Sequence, residues 1–315
     1  MNKNSKIYVA GHLGLLGSAL LRKLKEHCFT NVITRARAQL DLTDKNAVNS
    51  FFRDESPEYV FLAAGLTGGI LANKTRPADF LHINLAIQDN VFDASSKCKV
   101  KNLVFYGSSC VYPKNTEQPI KEESLLTGEI EETSEAYAIA KTCGLLACRA
   151  YNRQFKSNNF IALVPNSMYG PNDDFDHDNS HVLAALISKI HRAKLEGQDI
   201  VQLWGSGTPR REFIFCDDVA DASIFAALSS SKLDNTHYNI GSGTDYSIKE
   251  LANIIAEVIQ YDGAIEWDKS KPDGVMRKKI DSSRFNDLGW KPKVSLIDGI
   301  NMTYDWFLDQ NKRVQ

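Results

Sequence analysis

Residues 7–17 read IYVAGHLGLLG and pass directly into SALLRKLKEH. A short apolar strand, three glycines spaced G-x-x-G-x-x-G (Gly11, Gly14 and Gly17) and an apolar-periodic helix follow one another. Glycines at this place allow a tight turn and let backbone amides approach a pyrophosphate at a helix N-terminus, where the dipole favours negative charge. A purely structural turn would use the same residues. The position between a first strand and a first helix, more than the triplet itself, points to a bound dinucleotide.

The rhythm set there continues. NVIT (31–34), YVFLAA (59–64), NLVFYG (102–107) and FIALV (160–164) alternate with longer helical patterns such as PADFLHINLAIQDNVFDASSK. Runs that are apolar nearly throughout are strands covered on both faces, which predicts an α/β fold of Rossmann type with a doubly wound parallel sheet. After Val164 the rhythm loosens into the polar, turn-rich NSMYGPNDDFDHDNSH, then a helix over about 181–195, a strand IVQLW and the stretch GSGTPRR. REFIF, a helix and HYNIGSG read as a return to the sheet. The expected division is a cofactor domain of residues 1–167 with about 212–245, and a smaller C-terminal α/β substrate lobe of 168–211 with 246–315.

Charge narrows the partners. Lys plus Arg number 37 against 39 Asp plus Glu, a net charge of −2, which gives no reason to expect a nucleic acid. The apolar runs fall well short of the roughly 20 residues that span a bilayer, and MNKNSKIYVAGH enters a strand without a signal pattern, so a cytoplasmic chain with no membrane contact is expected. The cysteines at 28, 98, 110, 143, 148 and 216 form no C-x-x-C pair, which reads as reduced thiols with no metal site.

The end of the second strand separates the two nicotinamide cofactors, because an acid there binds a ribose 2′-hydroxyl and repels a 2′-phosphate. The sequence is TRARAQLDL, with Arg35 and Arg37 in place of an acid. Guanidinium forks suit a phosphate, which favours NADP(H); solvated surface charge is the alternative.

Two stretches carry the candidate chemistry, YGSSCVYPK (106–114) and SEAYAIAKT (134–142). Tyr137 and Lys141 stand four apart in a helical pattern and share a face, a pairing that means little alone. It gains weight by following the GSS that ends a strand. Cys110 can be core filler, or a thiol whose pKa a positive neighbour lowers until it takes a proton from carbon beside a ketone.

The glycine loop, Ser108 or Ser109, and Tyr137-x-x-x-Lys141 together resemble the extended short-chain dehydrogenase/reductase family. The resemblance implies that Tyr137 exchanges a proton with a substrate oxygen while Lys141 lowers its pKa and holds the nicotinamide ribose. Dehydratases of that family carry an Asp-Glu pair where this chain has Ser109 and Cys110. AGHLGLLGSAL, GGILANKTRPADF, GSSCVYPK, EAYAIAK, YNRQF, NSHV, WGSGTPRREF and KPDG, spread over most of the chain, are similar to the branch of epimerase-reductases that act on GDP-4-keto-6-deoxy sugars.

That branch implies C3 and C5 epimerisation of GDP-4-keto-6-deoxy-D-mannose and then C4 reduction by NADPH, giving GDP-L-fucose. By the same carry-over Cys110 is the base and His181 the acid at C3 and C5, while Ser108, Tyr137 and Lys141 serve the C4 oxygen. Leu15, Asp41, Leu42, Ala63, Ala64, Pro165, Asn166 and Met168 join the glycines, the two arginines and Lys141 as cofactor contacts. Ser109, Lys189, Trp204, Arg211, Asp273 and Lys278 become substrate contacts. Taken alone, His181 is as easily a solvated loop residue, as His177 is read to be.

Two departures bear on this. Leu13 stands where the family usually has an arginine, and Leu66 and Thr67 stand where it usually has Lys-Val beside the sugar. A C4-reductase of a related GDP-4-keto sugar, such as a 3,6-dideoxy or heptose derivative, is therefore the rival reading, ahead of a 4-epimerase or a non-catalytic nucleotide sensor. The family also implies a homodimer, through helices after the fourth and fifth strands.

Overall fold

A computed structural model describes residues 1–176, 180–271 and 273–314. The first half runs β1 (Ile7–Ala10), α1 (Leu15–Glu26), β2 (Val32–Ile33), α2 (Lys45–Glu55), β3 (Tyr59–Leu62), α3 (Ile70–Thr75), α4 (Pro77–Lys97), β4 (Asn102–Tyr106), α5 (Glu135–Phe155) and β5 (Phe160–Pro165). It continues with β6 (Ser167–Tyr169), α6 (Val182–Leu195), β7 (Ile200–Trp204), β8 (Arg210–Phe215), α7 (Cys216–Leu228) and β9 (His237–Ile240). The remainder is β10 (Asp245–Ser247), α8 (Ile248–Ile259), β11 (Ala264–Asp268), β12 (Arg277–Lys278), α9 (Ser283–Asn286) and α10 (Leu296–Val314).

Strands β1, β3, β4, β5 and β9 are buried along their whole length, as two-faced apolar runs must be. They pair in parallel in the order β2-β1-β3-β4-β5-β9. Two apolar clusters fill the space on either side. One gathers Leu16, Leu20 and Leu24 of α1 with residues of α6, α7, α8 and α10; the other joins Val48 and Phe52 of α2 to Val91 and Phe92 of α4 and Leu145 of α5. Helix α2 starts where Asp44 accepts from the amides of Asn46 and Ala47 at 2.8 and 3.0 Å.

The order reverses at β1: the chain leaves it first for β2 on one side, then for β3 on the other. A crevice opens outside the carboxyl ends of strands at such a switch point. Its walls meet closely. Gly11 has φ +82°, and a β-carbon there would lie 2.7 Å from the backbone of Ala64, just past β3.

A smaller sheet stands beside this one, with β8 at its centre, β10 antiparallel on one edge, β12 parallel on the other and β6 also pairing β8. The sequence reading sends REFIF back to the large sheet together with HYNIGSG. Only the latter returns, as β9 against β5. REFIF forms β8 in the small sheet, because its Arg210, Arg211 and Glu212 pair with β10 and β12. Strand β6 lies inside the stretch read as a polar loop.

Gly17 is a packing residue. A β-carbon on it would fall 2.0 Å from the Gly11 carbonyl oxygen, inside the turn that joins β1 to α1. Gly17→Ala is expected to destabilise the chain by about 3 kcal/mol, read as a fall in Tm or in the denaturant midpoint.

Candidate active site

A cavity of about 550 Å³ lies along the carboxyl ends of β1, β3, β4 and β5 and reaches across to α6 and β8. At one end it is walled by Gly11, Gly14 and Leu15, by Arg35, Arg37, Asp41 and Leu42, and by Ala63 and Ala64. Helix α1 begins here with no side chain capping it and no acid in its first turn. Its first amides are thus available to an anion. A β-carbon on Gly14 would approach only the Gly11 oxygen, at 3.7 Å, so the absence of a side chain there keeps a cradle open, and it is not a packing need. A diphosphate fits.

The two arginines differ. Arg35 is spent locally: it pairs with Glu55 at 2.5 Å, donates to the Thr34 carbonyl at 2.8 Å and covers the Phe51 ring. The Arg37 side chain is 79% exposed, and among the described residues its one ion pair is with Asp41, at 3.9 Å. Asp41 itself accepts from the amide and hydroxyl of Thr43, and these bonds hold its carboxyl below the usual range. Of the two guanidinium groups, that of Arg37 is the less engaged; Leu13 is exposed.

The middle of the cavity carries Ser108, Ser109, Tyr137 and Lys141. Ser108 follows β4 and opens a short 3-10 turn, Ser109–Val111, its oxygen 3.5 Å from the Cys110 amide. Tyr137 and Lys141 sit one turn apart on α5. The ammonium of Lys141 donates to the Tyr106 carbonyl at 3.0 Å and lies 5.7 Å from the Tyr137 ring centre. Burial pulls Lys141 down to about 8. Burial pushes the Tyr137 phenol up, further raised by Cys110 and partly offset by a hydrogen bond with Ser108. At neutral pH the pair is phenol and ammonium, the forms that protonate an oxygen.

His181, at the N-terminus of α6, lines the same cavity with Asp173. Its Nδ1 is 3.7 Å from Asp173 Oδ1, and that carboxylate raises the imidazole pKa against the opposing effect of burial. His181 is thus biased toward its acid form. Nothing in the sequence singles out Asp173 from its acidic neighbours; His177 lies outside the described residues.

Cys110 is partly exposed in the turn Ser109–Val111, beside the cavity-lining Ser108 and Ser109. Burial pushes its thiol up, while Lys278, the Ser108 hydroxyl and Lys141 pull it back. Lys278 reaches this place from β12, paired in register with Arg211 on β8. Arg211 lines the cavity, and burial lowers both cations. Among the described residues no carboxylate forms an ion pair with either.

The other sequence candidates divide in the same way. Pro165, Asn166 and Met168 line the cavity beside Lys141, Asn166 donating from Nδ2 to Glu212 at 2.7 Å. Gly17, Lys189, Trp204, Asp273 and Lys278 do not. Trp204 is 63% exposed at the end of β7, with the ammonium groups of Lys189 and Lys271 at 4.9 and 5.5 Å from its ring centre. Asp273 is engaged with Ser206, taking its amide at 2.9 Å and its hydroxyl at 2.7 Å. The segment of Asp273 stays near the cavity, since a β-carbon on Gly274 would fall 3.1 Å from the Arg211 guanidinium.

Leu66 and Thr67 do line the cavity. Asn84 of α4 fixes that wall, accepting from the Leu66 amide at 3.1 Å and donating to its carbonyl at 3.0 Å. Two bonds across 18 residues leave no local mark in the sequence.

The family model for the NAD dependent epimerase/dehydratase family matches residues 7–241, three quarters of the chain and all of the large sheet. The chain belongs to this family. It is similar to GDP-L-fucose synthase 1 of Arabidopsis thaliana, 51% identical over 98% of this chain and 94% of the relative. Among solved structures it is similar to a GDP-6-OMe-4-keto-L-xylo-heptose reductase from C. jejuni, with 41% identity, TM-score 0.92 and 99% of each chain covered. A GDP-mannoheptose C4 reductase from Campylobacter jejuni, with NADP bound, is 42% identical at TM-score 0.90, over 98% of this chain and 99% of that one. As an epimerase/dehydratase family member with such relatives, the chain is an NADP-dependent oxidoreductase of the extended short-chain type.

The geometry around the second strand yields a test. Arg37→Ala should weaken NADPH binding by about 10- to 100-fold, the size of a charge-assisted hydrogen bond, with NADH binding unchanged. Arg35→Ala should instead act mainly on thermal stability. Titration of both variants with both cofactors by fluorescence separates the two roles.

Proposed function

We propose that this chain is an NADPH-dependent epimerase-reductase that converts GDP-4-keto-6-deoxy-D-mannose to GDP-L-fucose. The observation that carries the reading is that Ser108, Tyr137, Lys141 and His181 line one cavity, with Cys110 partly exposed beside Ser108. When bound, NADPH supplies the hydride to C4. Everything else falls to side chains. Tyr137 and Ser108 donate to the C4 oxygen, which stabilises the enolate formed on removing a proton from either neighbouring carbon, and Tyr137 protonates the final alkoxide. Lys141 keeps a positive charge beneath them.

Cys110 removes the protons at C3 and C5, and His181, held acidic by Asp173, returns them from the other side. The thiol rests protonated, so Lys278 and Lys141 are the charges that make its ionisation accessible. Arg211 and Lys278, lacking carboxylate partners among the described residues, suit the substrate diphosphate. Trp204 with Lys189 and Lys271 offers an aromatic and cationic surface for the nucleotide.

A second reading rests on Leu66 and Thr67. Both line the cavity, and the solved relatives include heptose C4 reductases, so a GDP-4-keto sugar with a different C6 group is the alternative substrate.

The chain also fits a homodimer. A groove between α4 and α5 is lined by Leu85, Phe92, Ala147 and Tyr151, with Leu146 and Ile139 exposed nearby. These helices follow the third and fourth strands of the large sheet, one step earlier than the family resemblance suggested. Among the described residues no helix is long and apolar enough to cross a membrane. Ala147→Glu is expected to halve the mass measured by light scattering.

Reaction in heavy water with NADPH should place deuterium at C3 and C5 of GDP-L-fucose, as seen by NMR. Cys110→Ser should slow that exchange by at least about 100-fold and leave NADPH binding intact. Consumption of NADPH without deuterium would make the chain a plain C4-reductase. The pH dependence has two opposed limbs: reduction falls as Lys141 loses its proton above about 8, whereas exchange rises toward the raised Cys110 pKa. The ratio of exchange to hydride transfer should therefore climb from pH 7 to 9, and Cys110→Ser should remove the climb.

A further inference from the structure

Glu212 on β8 is completely buried, and among the described residues no lysine or arginine forms an ion pair with it. Its carboxylate is met instead by three donors from three distant parts of the chain. The Gly243 amide donates to Oε1 at 2.7 Å, and Oε2 accepts from Asn166 Nδ2 at 2.7 Å and from the Ile280 amide at 3.0 Å. Burial raises the carboxyl pKa and these three bonds oppose it, and in this geometry both oxygens are already engaged as acceptors. The space is closed as well: a β-carbon on Gly241 would fall 2.4 Å from Oε1.

An acceptor-only neighbour decides which way an amide faces. The nitrogen of Asn166 must point at Glu212, so its oxygen is the polar atom left over. Asn166 is 4% exposed, its Oδ1 is buried without a protein partner, and the residue lines the cavity between Pro165 and Met168. A buried oxygen of this kind is costly unless a ligand brings a donor. The carboxamide of a nicotinamide carries such an N–H.

We propose that Glu212 is a positioning residue for the nicotinamide: by holding Asn166 Nδ2 it presents Asn166 Oδ1 as the acceptor for the carboxamide N–H. The same carboxylate, through the Ile280 amide, ties that wall to the strand bearing Lys278 two residues earlier. The inference depends on NADP(H) binding and is independent of which sugar is reduced.

Glu212→Gln keeps the shape but replaces one acceptor oxygen by a donor. Asn166 is then expected to turn its oxygen to Gln and show its nitrogen to the cavity. The test is binary binding, without turnover, of three probes: NADPH, its 3-acetylpyridine analogue, which has no N–H on the ring substituent, and adenosine 2′,5′-bisphosphate, which has no nicotinamide. The unaltered enzyme should prefer NADPH to the analogue by about tenfold, the size of one neutral hydrogen bond. Glu212→Gln should abolish the preference and leave bisphosphate binding unchanged.

A variant that keeps the preference overturns the proposal, as does one that loses NADPH and bisphosphate binding in parallel. Should Glu212→Gln fail to fold, Asn166→Ala takes its place: it removes the oxygen, and retention of the preference would refute the assignment. Failure of deuterium exchange at C3 and C5 leaves these results untouched, so the two readings fall separately.

Discussion

The structure depends on one close approach, that of the turn after β1 to the end of β3. Gly11 sits where any side chain would strike the backbone of Ala64, and Gly17 lies against the Gly11 carbonyl. This contact brings the N-terminus of α1, free of capping side chains, to the mouth of the crevice where the sheet order reverses. The cradle offered to a diphosphate at the start of α1 follows from that packing.

Burial sets the character of the other half. Lys141, Arg211 and Lys278 are each lowered by desolvation, and among the described residues none forms an ion pair with a carboxylate. Positive charge held in this way costs folding free energy, and anionic ligands offset the cost. The same desolvation keeps Tyr137 and Cys110 protonated, so the resting site is poised to donate protons. Withdrawing one from carbon then requires the lysines around the thiol.

Much of this was legible in the sequence, and the reasons differ by feature. The large sheet showed because each strand is apolar on both faces, and Ser108 and Tyr137 gained weight from following a strand that ends at its edge, whereas His181 was reached only through the family resemblance. The small sheet did not show. Strand β8 carries Arg210, Arg211 and Glu212 at its start, a polar opening that only its pairing with β10 and β12 explains. Glu212, Asn84 and Asp173 escaped notice because their importance lies in hydrogen bonds and charge between parts of the fold, which leave no periodicity and no spacing.

Cys110 shares the turn after β4 with Ser108, but two other groups proposed for work on carbon come from elsewhere in the fold. Ser108, Tyr137 and Lys141 ride on β4 and α5 of the large sheet, while His181 opens α6 and Lys278 lies on β12 of the small one. Changes confined to α6 or β12 can therefore silence proton traffic at C3 and C5 and leave the C4 machinery whole. A fold wired this way lets evolution trim an epimerase-reductase to a reductase, or reshape it for another sugar, without rebuilding the chemistry common to both.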